Sequence, residues 1–306
     1  MASEVIAYFQ ESDFFRGGQA VEIASLDERG CKTYIEHRLL PPQMDFNRSG
    51  SFLLISSDGS LSLLINEEDH YRVQAILPGL QIGLAVQRAK RFTDELARNM
   101  QLAWDRDYGY LTASPSNAGA GIRVSAMIHL PGLASTKRLS DAMMAAQVVG
   151  CSVRGVYGEG SGAIGGIYQI SNRSSAGSDE QEIVARIESA LGYMIAQEQK
   201  AREMILSSPV KQAALKEEAL RAVEQISGNG VNLIEAASYL SSYRWAVAAR
   251  LVAGDLTECD HLFAIVTSGI TMRNKKHHRI VALDDRTQLE SIRKWAQTTA
   301  IRIQGA

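Results

Sequence analysis

The chain has 306 residues, 45% of them apolar and 22% charged, which suits one large domain or two ordinary ones with ample core. Its 32 Lys and Arg against 34 Asp and Glu leave a formal net charge of −2, so no broad surface for nucleic acid or anionic membrane is expected. Cys31, Cys151 and Cys259 are odd in number, far apart and without CxxC pairing, which excludes a disulfide scaffold and a zinc ribbon and points to a reducing cytoplasm.

The N-terminus, Met1-Ala-Ser-Glu-Val5, lacks the basic-then-apolar order of a signal peptide. No apolar run reaches the roughly 18 residues that a membrane-spanning helix needs. Phe52–Ile55 and Leu61–Ile65 read as two strands around Ser56-Ser-Asp-Gly-Ser60, where Gly59 supplies the positive φ of a hairpin turn. A helical pattern follows over roughly 80–100. Ile122, Val124, Ala126, Ile128 and Leu130 alternate with Arg123, Ser125, Met127 and His129, a strand with one buried face. A second helical pattern covers about 137–149. Cys151–Tyr157 and Gly166–Ser171 read as two further strands around a glycine-rich loop. Without strict βα alternation, an antiparallel or mixed α+β sheet is expected.

From Ser178 the chain reads as helix only. Ser178 and Gln181 match a capping box for a helix running to about Leu206. Ser208-Pro209 opens the next helix, which stops at Gly228-Asn-Gly230. Further helices are expected over 232–252, 256–268 and 284–298. The junction at 207–209 divides a domain of residues 1–207 from a helical domain of residues 208–306.

Gly160, Gly162 and Gly165 satisfy GxGxxG, but a dinucleotide site needs a helix next and Ile167-Tyr-Gln-Ile170 reads as a strand. A mobile glycine-rich loop fits better, and no GxxxxGK[ST] occurs. Cys259 reads as a small core residue, and the basic run Arg273–Arg279 with His277 and His278 as a solvated loop. The acidic run Asn66-Glu67-Glu68-Asp69-His70 leaves an apolar strand. It is either a solvated strand end or a carboxylate aimed into a cleft, with Arg72 four residues past Glu68. Arg123 and Arg154 each sit mid-strand among apolar neighbours, where an arginine is costly unless it meets an anion. Three such arginines near a glycine loop suggest a polyanion site, since guanidinium forks suit phosphate oxygens.

Five stretches, in order, resemble the ATP:guanido phosphotransferase (phosphagen kinase) family, its bacterial protein-arginine-kinase branch above all. They are Asn66–Gln74, Gly109–Asn117, Gly121–Pro131, Val153–Ser161 and Tyr168–Asn172, within residues 30–205. The helical tail resembles that branch's C-terminal domain only loosely. The resemblance implies an α+β fold, an antiparallel sheet flanked by helices, followed by the all-helical C-terminal domain. It implies transfer of the ATP γ-phosphoryl to a guanidinium, with Mg²⁺ bound through the phosphates and no dedicated protein metal site. It implies that Arg72, Arg123 and Arg154 contact the phosphates. It also implies that Arg123, Val124, Ser125, Ala126 and Met127, with Arg154, Gly155, Val156, Tyr157, Gly158 and Glu159, line the nucleotide site. Glu68, or less favourably Glu67, holds the guanidinium, and Ser114 borders it. As partners it implies arginine residues of proteins, a zinc-binding activator protein, a Clp-type protease system and a homodimer.

Three departures keep a second reading open. Ser114 stands where the family has cysteine, and Gly162 where it has a second carboxylate. Nothing before Cys31 matches the family's Ser-Ser-Arg-x-Arg strand, so Met1 is expected to lie downstream of it. The alternative is therefore a catalytically impaired pseudokinase, acting as a nucleotide-binding or regulatory interaction module.

Overall fold

Phe52–Ile55 and Leu61–Ile65 are apolar at nearly every position, and burial on both faces is the reason. A computed structural model of the chain describes residues 2–41, 44, 49–155, 164–228, 230–268 and 285–304. In it these segments are β2 and β3, paired antiparallel with Phe52 opposite Ile65. Leu54, Leu61, Leu63 and Ile65 face one core cluster, with Phe9, Phe15, Phe92 and Leu96. Leu53, Ile55 and Leu64 face another, with Ile23, Tyr34 and Leu40. The first cluster is closed by α1 (Ala2–Gln10) and α3 (Ile82–Asn99). The Phe92 ring meets the edges of Phe9, Phe14 and Phe15 at centroid distances of 5.2, 5.2 and 5.0 Å. The second cluster is closed in part by α2 (Glu28–Glu36). β1 (Gln19–Glu22) and β4 (Tyr71–Ala75) complete a four-stranded antiparallel sheet in the order β1-β2-β3-β4.

The β2–β3 hairpin forms as its sequence predicts, with Gly59 at φ +70°. Asp58 organises the turn. Its Oδ1 accepts from the Ser56 hydroxyl at 2.7 Å and the Ser60 amide at 3.0 Å, and Arg88 donates to Oδ2 at 2.7 Å. Partial burial works to raise this carboxyl, but the serine hydrogen bonds and Arg88 outweigh it and leave Asp58 at about 2.

The described chain falls into two compact units. The first holds residues up to Val124 together with Asn172–Ala185, and includes the small β5 (Trp104–Asp105) and β6 (Gly109–Tyr110) hairpin. The second holds Ser125–Ser171 and the chain from Arg186 on. Its sheet has the order β7-β9-β8, from β7 (Ser125–His129), β8 (Cys151–Gly155) and β9 (Ile167–Asn172). α4 (Pro131–Ser135) and α5 (Leu139–Val148) connect β7 to β8. The glycine-rich segment is followed by strand β9, as expected; its residues 156–163 lie outside the described residues.

The helices from residue 180 on are α6 (Glu180–Leu206), α7 (Pro209–Ser227), α8 (Leu233–Ala248), α9 (Leu256–Ser268) and α10 (Asp285–Gln304). Two boundaries differ from the sequence reading: α8 stops sooner and α10 runs further. The capping box of α6 also shifts by one residue. Asp179 accepts from the Glu182 amide at 2.7 Å while Glu182 accepts from the Asp179 amide, so the pair is Asp179/Glu182 rather than Ser178/Gln181. α7–α10 share one core, in which Leu240, Tyr243, Trp245, Phe263, Ile292 and Trp295 are buried, and Cys259 is a core residue as predicted. Burial pushes the Cys259 thiol up to about 11. The run Arg273–Arg279 lies outside the described residues. Among the described residues no helix is long and apolar enough to cross a membrane.

His129 ends β7 and is enclosed by the helices. Its Nε2 lies 2.7 Å from Ser241 Oγ, its Nδ1 lies 3.4 Å from Arg244 Nη1, and its ring centroid is 5.7 Å from that of Phe263. Burial, then the Arg244 and Arg202 guanidiniums, push its pKa down to about 3. Arg244 is itself paired with Asp260, and Arg202 with Glu198. Below pH 6.5 the unfolded chain takes up a proton at this imidazole that the native state refuses, so stability falls as pH drops from 6.5 toward 3. Urea unfolding at pH 7 and pH 5 should show the parent losing roughly 2 kcal/mol more than His129→Gln. Equal losses would refute the assignment.

Candidate functional site

The β3–β4 turn carries the acidic run, and its backbone is fixed on several sides. Asn66 adopts φ +56°, a left-handed conformation that asparagine tolerates better than most residues. Its amide donates to His70 O at 3.0 Å and its side-chain amide to Gly50 O at 2.8 Å. Ser51 Oγ, from the residue before β2, donates to Asn66 O at 2.6 Å. Glu68 is exposed at the crest of this turn and Glu67 is half-buried beside it.

Asp69 then joins the turn to a second segment. Its Oδ1 accepts from the Ala113 amide at 2.8 Å. Ser114, the next residue, is half-buried, and its hydroxyl lies 2.9 Å from that of Ser116. Thr112 Oγ1 donates to Ser114 O at 2.7 Å, and the Asn117 amide donates to the same oxygen at 2.9 Å. The structure therefore brings the Glu67–Glu68 turn together with the Ser114 segment. Arg72 stands exposed on β4, opposite Leu64 of β3, with Nη2 3.3 Å from Gln74 Oε1.

Arg123 corrects the sequence reading. It is exposed and precedes the strand, because pairing with β9 begins only at Ser125, opposite Ser171. Asn172 holds the segment instead. Its Oδ1 accepts from the Val124 amide at 2.8 Å and its Nδ2 donates to Ile122 O at 3.1 Å, bracketing Arg123 on both sides. Ser175 adds a further anchor, donating from Oγ to Asn117 O at 2.8 Å. Val124 is buried.

The remaining expected residues lie in the second unit. Along β7, Ser125 and Met127 are exposed and Ala126 half-buried, the alternation its sequence predicts, and Gln169 of β9 donates to Ser125 Oγ at 3.2 Å. Arg154 is not a buried arginine either. Cys151, Val153 and Gly155 take the inner face of β8, which leaves Ser152 and Arg154 on the half-exposed outer one, with Arg154 Nε donating to Ser152 Oγ at 3.0 Å. Val156, Tyr157, Gly158, Glu159 and Gly162 lie outside the described residues. A cleft of about 180 Å³ lined by Pro131, Gly166, Glu218, Ser241 and Trp245 holds none of the expected residues.

Sequence reasoning passed over Asp69 and Asn172 as individuals. Both stand in stretches that carried the resemblance, and the signal was a short polar side chain beside an irregular backbone, where Asp and Asn satisfy amides that no strand can pair.

Residues 1–201 match the ATP:guanido phosphotransferase C-terminal catalytic domain. The protein-arginine kinase of Bacillus cereus (strain B4264) is 36% identical over 224 residues, 73% of this chain and 62% of that protein. The protein-arginine kinase of Caldanaerobacter subterraneus subsp. tengcongensis is 34% identical over 242 residues, 79% of this chain and 71% of that protein. The chain thus spans less than two thirds of the Bacillus cereus relative. Two solved structures share the fold. One is the duplicated taurocyamine kinase from Schistosoma mansoni with bound transition state analog components, at TM-score 0.58 and 21% identity, covering 74% of this chain and 34% of that one. The other is lombricine kinase, at TM-score 0.55 and 22% identity, covering 66% of this chain and 59% of that one. With two thirds of its length matched to the catalytic domain and the acidic turn, the Ser114 segment and the Asn172 clasp all built from the matched stretches, the chain belongs to the ATP:guanido phosphotransferase family.

Proposed function

We propose that the protein transfers the γ-phosphoryl group of ATP to the guanidinium of arginine residues in proteins. The observation that supports this most is the bond from Ala113 to Asp69, which seats an exposed glutamate turn against the Ser114 segment. Phosphoryl transfer runs through a loose transition state, so catalysis is mainly alignment and charge stabilisation, and rigid carriage of a few charged groups is what the fold must supply. In this reading Glu68 orients the guanidinium and accepts its proton, with Glu67 as the less favoured candidate. Ser114 borders the guanidinium. Arg72, Arg123 and Arg154 contact the phosphates, and residues 123–127 and 154–159 line the nucleotide. Exposure of Arg72 and Arg123 suits that role, since an incoming anion must reach them.

Among the described residues no group of three or more His, Cys, Asp or Glu side chains is placed to hold a metal ion. Magnesium, when bound, would come with the nucleotide's own phosphate oxygens and would supply charge neutralisation. We extend the reading to a cytoplasmic protein with a catalytic domain over residues 1–207 and a helical domain over 208–306. A zinc-binding activator, a Clp-type protease system and a homodimer are proposed on family likeness.

The test is incubation of the purified protein with MgATP and an arginine-rich protein, read as acid-labile phosphoarginine. Its formation at a rate above that of a Glu68→Ala control is expected. No phosphoarginine, with a melting temperature that MgATP still raises, would overturn transfer and identify a nucleotide-binding module, which Ser114 in place of the family's cysteine would then explain.

A further inference from the structure

We propose that Arg244 of α8 is a positioning residue for the nucleotide site, acting through His129. The proposal rests on the reading above that Ser125–Met127 of β7 line the nucleotide. Arg244 lies outside the stretch matched to the catalytic domain, which ends at residue 201.

A guanidinium has only donors, so Arg244 Nη1, 3.4 Å from His129 Nδ1, makes Nδ1 the acceptor. A neutral imidazole then carries its single proton on Nε2, which donates to Ser241 Oγ at 2.7 Å. One arginine therefore fixes the tautomer and the ring orientation of His129, and with them the only direction in which Nε2 can pair. A Ser241–His129 nucleophile pair is excluded by the same step, because Nε2 is not free to take the serine proton.

What this ring holds is the end of β7 and the exit of the glycine-rich segment. His129 pairs with Ile167 across the β7–β9 ladder, and the next amide, Leu130, donates to Gly166 O at 2.9 Å. Gly166 packs against Ser241 and the His129 ring, where an added Cβ would lie 3.4 Å from Ser241 Oγ and 3.7 Å from His129 Cδ2. Gly165, at φ +58°, is closed in by Phe263 of α9 and by Ala237 O of α8, at 2.7 and 2.8 Å from a built Cβ. Arg244 is tied back to α9 by its 2.5 Å bond to Asp260. So α8 and α9 hold together the last residue of the strand and the last glycines before β9. Met127, two residues upstream of His129, inherits its position from that anchor.

The experiment compares the full-length parent with Arg244→Met and Arg244→Lys. MgATP is the probe, with KM and kcat from phosphoarginine formation and Kd by direct titration, and ¹⁵N NMR of His129 reports the protonated nitrogen. Arg244→Met, which keeps length and loses the donor, is expected to raise KM and Kd for MgATP about tenfold with kcat within threefold, and to give a mixed His129 tautomer signal. Arg244→Lys keeps a donor and is expected to recover most of both. Parental KM and Kd in Arg244→Met, or an unchanged Nε2–H signature, would overturn the proposal. Equal impairment of the Met and Lys variants would also overturn it, because shape rather than donation would then be at work. A parent that binds no MgATP would overturn the nucleotide reading itself, a result distinct from a parent and variant that bind alike.

Discussion

Glu68→Gln is expected to lower the rate of phosphoarginine formation by about 10²–10⁴-fold while leaving the melting temperature within about 2 °C of the parent. The two halves of that expectation have separate causes. The turn that carries Glu68 is held by Asn66, by the Ser51 hydroxyl and by the Asp69 carboxylate on the Ala113 amide, and none of these bonds uses the Glu68 side chain. Glu68 is exposed, so replacing it by its amide neither opens a cavity nor strands a buried partner. Function is another matter. A guanidinium has only donors, and an amide oxygen is a weaker acceptor without the charge that makes such bonds worth about 1.5–3 kcal/mol. Nor can the amide accept the proton that leaves as the N–P bond forms. Asp69→Ala provides the contrast. It removes the acceptor of the Ala113 amide, so stability and activity should fall together. If Glu68→Gln retained more than a tenth of parental activity, the carboxylate role would pass to Glu67 or the chemistry would need another account.

Features fixed by local chemistry were legible in the sequence. Asp58-Gly59 makes a hairpin whatever surrounds it, and Ser208-Pro209 starts a helix with Ser208 Oγ accepting from the Lys211 amide. The alternation from Val124 to Leu130 reports a sheet face directly. The capping box slipped by one residue because Ser178/Gln181 and Asp179/Glu182 satisfy the same spacing, and only the carboxylate geometry separates them. Arg123 was misplaced for a different reason. Its apolar neighbours imitate a strand, but whether a strand starts at residue 122 or 125 is decided by Asn172, 48 residues from Val124. The bonds of Asp69 to Ala113 and of Glu198 to Gly132 span 44 and 66 residues, and no periodicity encodes them. The site residues were visible as types, but the side chains that hold them were not.

Glu198→Ala is expected to destabilise the protein by about 3–5 kcal/mol. The cause begins at α4. A helix start leaves its first amides without partners; Pro131 has no N–H to satisfy, and Leu130 at the N-cap has no side-chain acceptor to offer. Glu198, eighteen residues into α6 and only 7% exposed at its side chain, supplies both missing acceptors. Its Oε1 accepts from Gly132 N at 2.9 Å and from Arg202 Nε at 2.6 Å, and its Oε2 accepts from Leu133 N at 2.8 Å. The fit is close, since a Cβ on Gly132 would stand 3.0 Å from Glu198 Oε1 and from Arg202 Cγ. Truncation strands two buried amides, each costing about 1–3 kcal/mol, and frees a guanidinium that solvent only partly reaches. The urea midpoint should therefore drop with an unchanged slope, and the melting temperature should fall by about 10 °C. Glu198→Gln keeps one acceptor oxygen but turns a donor NH2 toward the second amide, so it should recover only part of the loss. A loss below about 1 kcal/mol for Glu198→Ala would mean that water caps α4 as well as the carboxylate does. Because α4 follows β7 directly, a frayed α4 would loosen the strand that carries Ser125–Met127. MgATP affinity should then weaken in Glu198→Ala at temperatures where the protein is still folded.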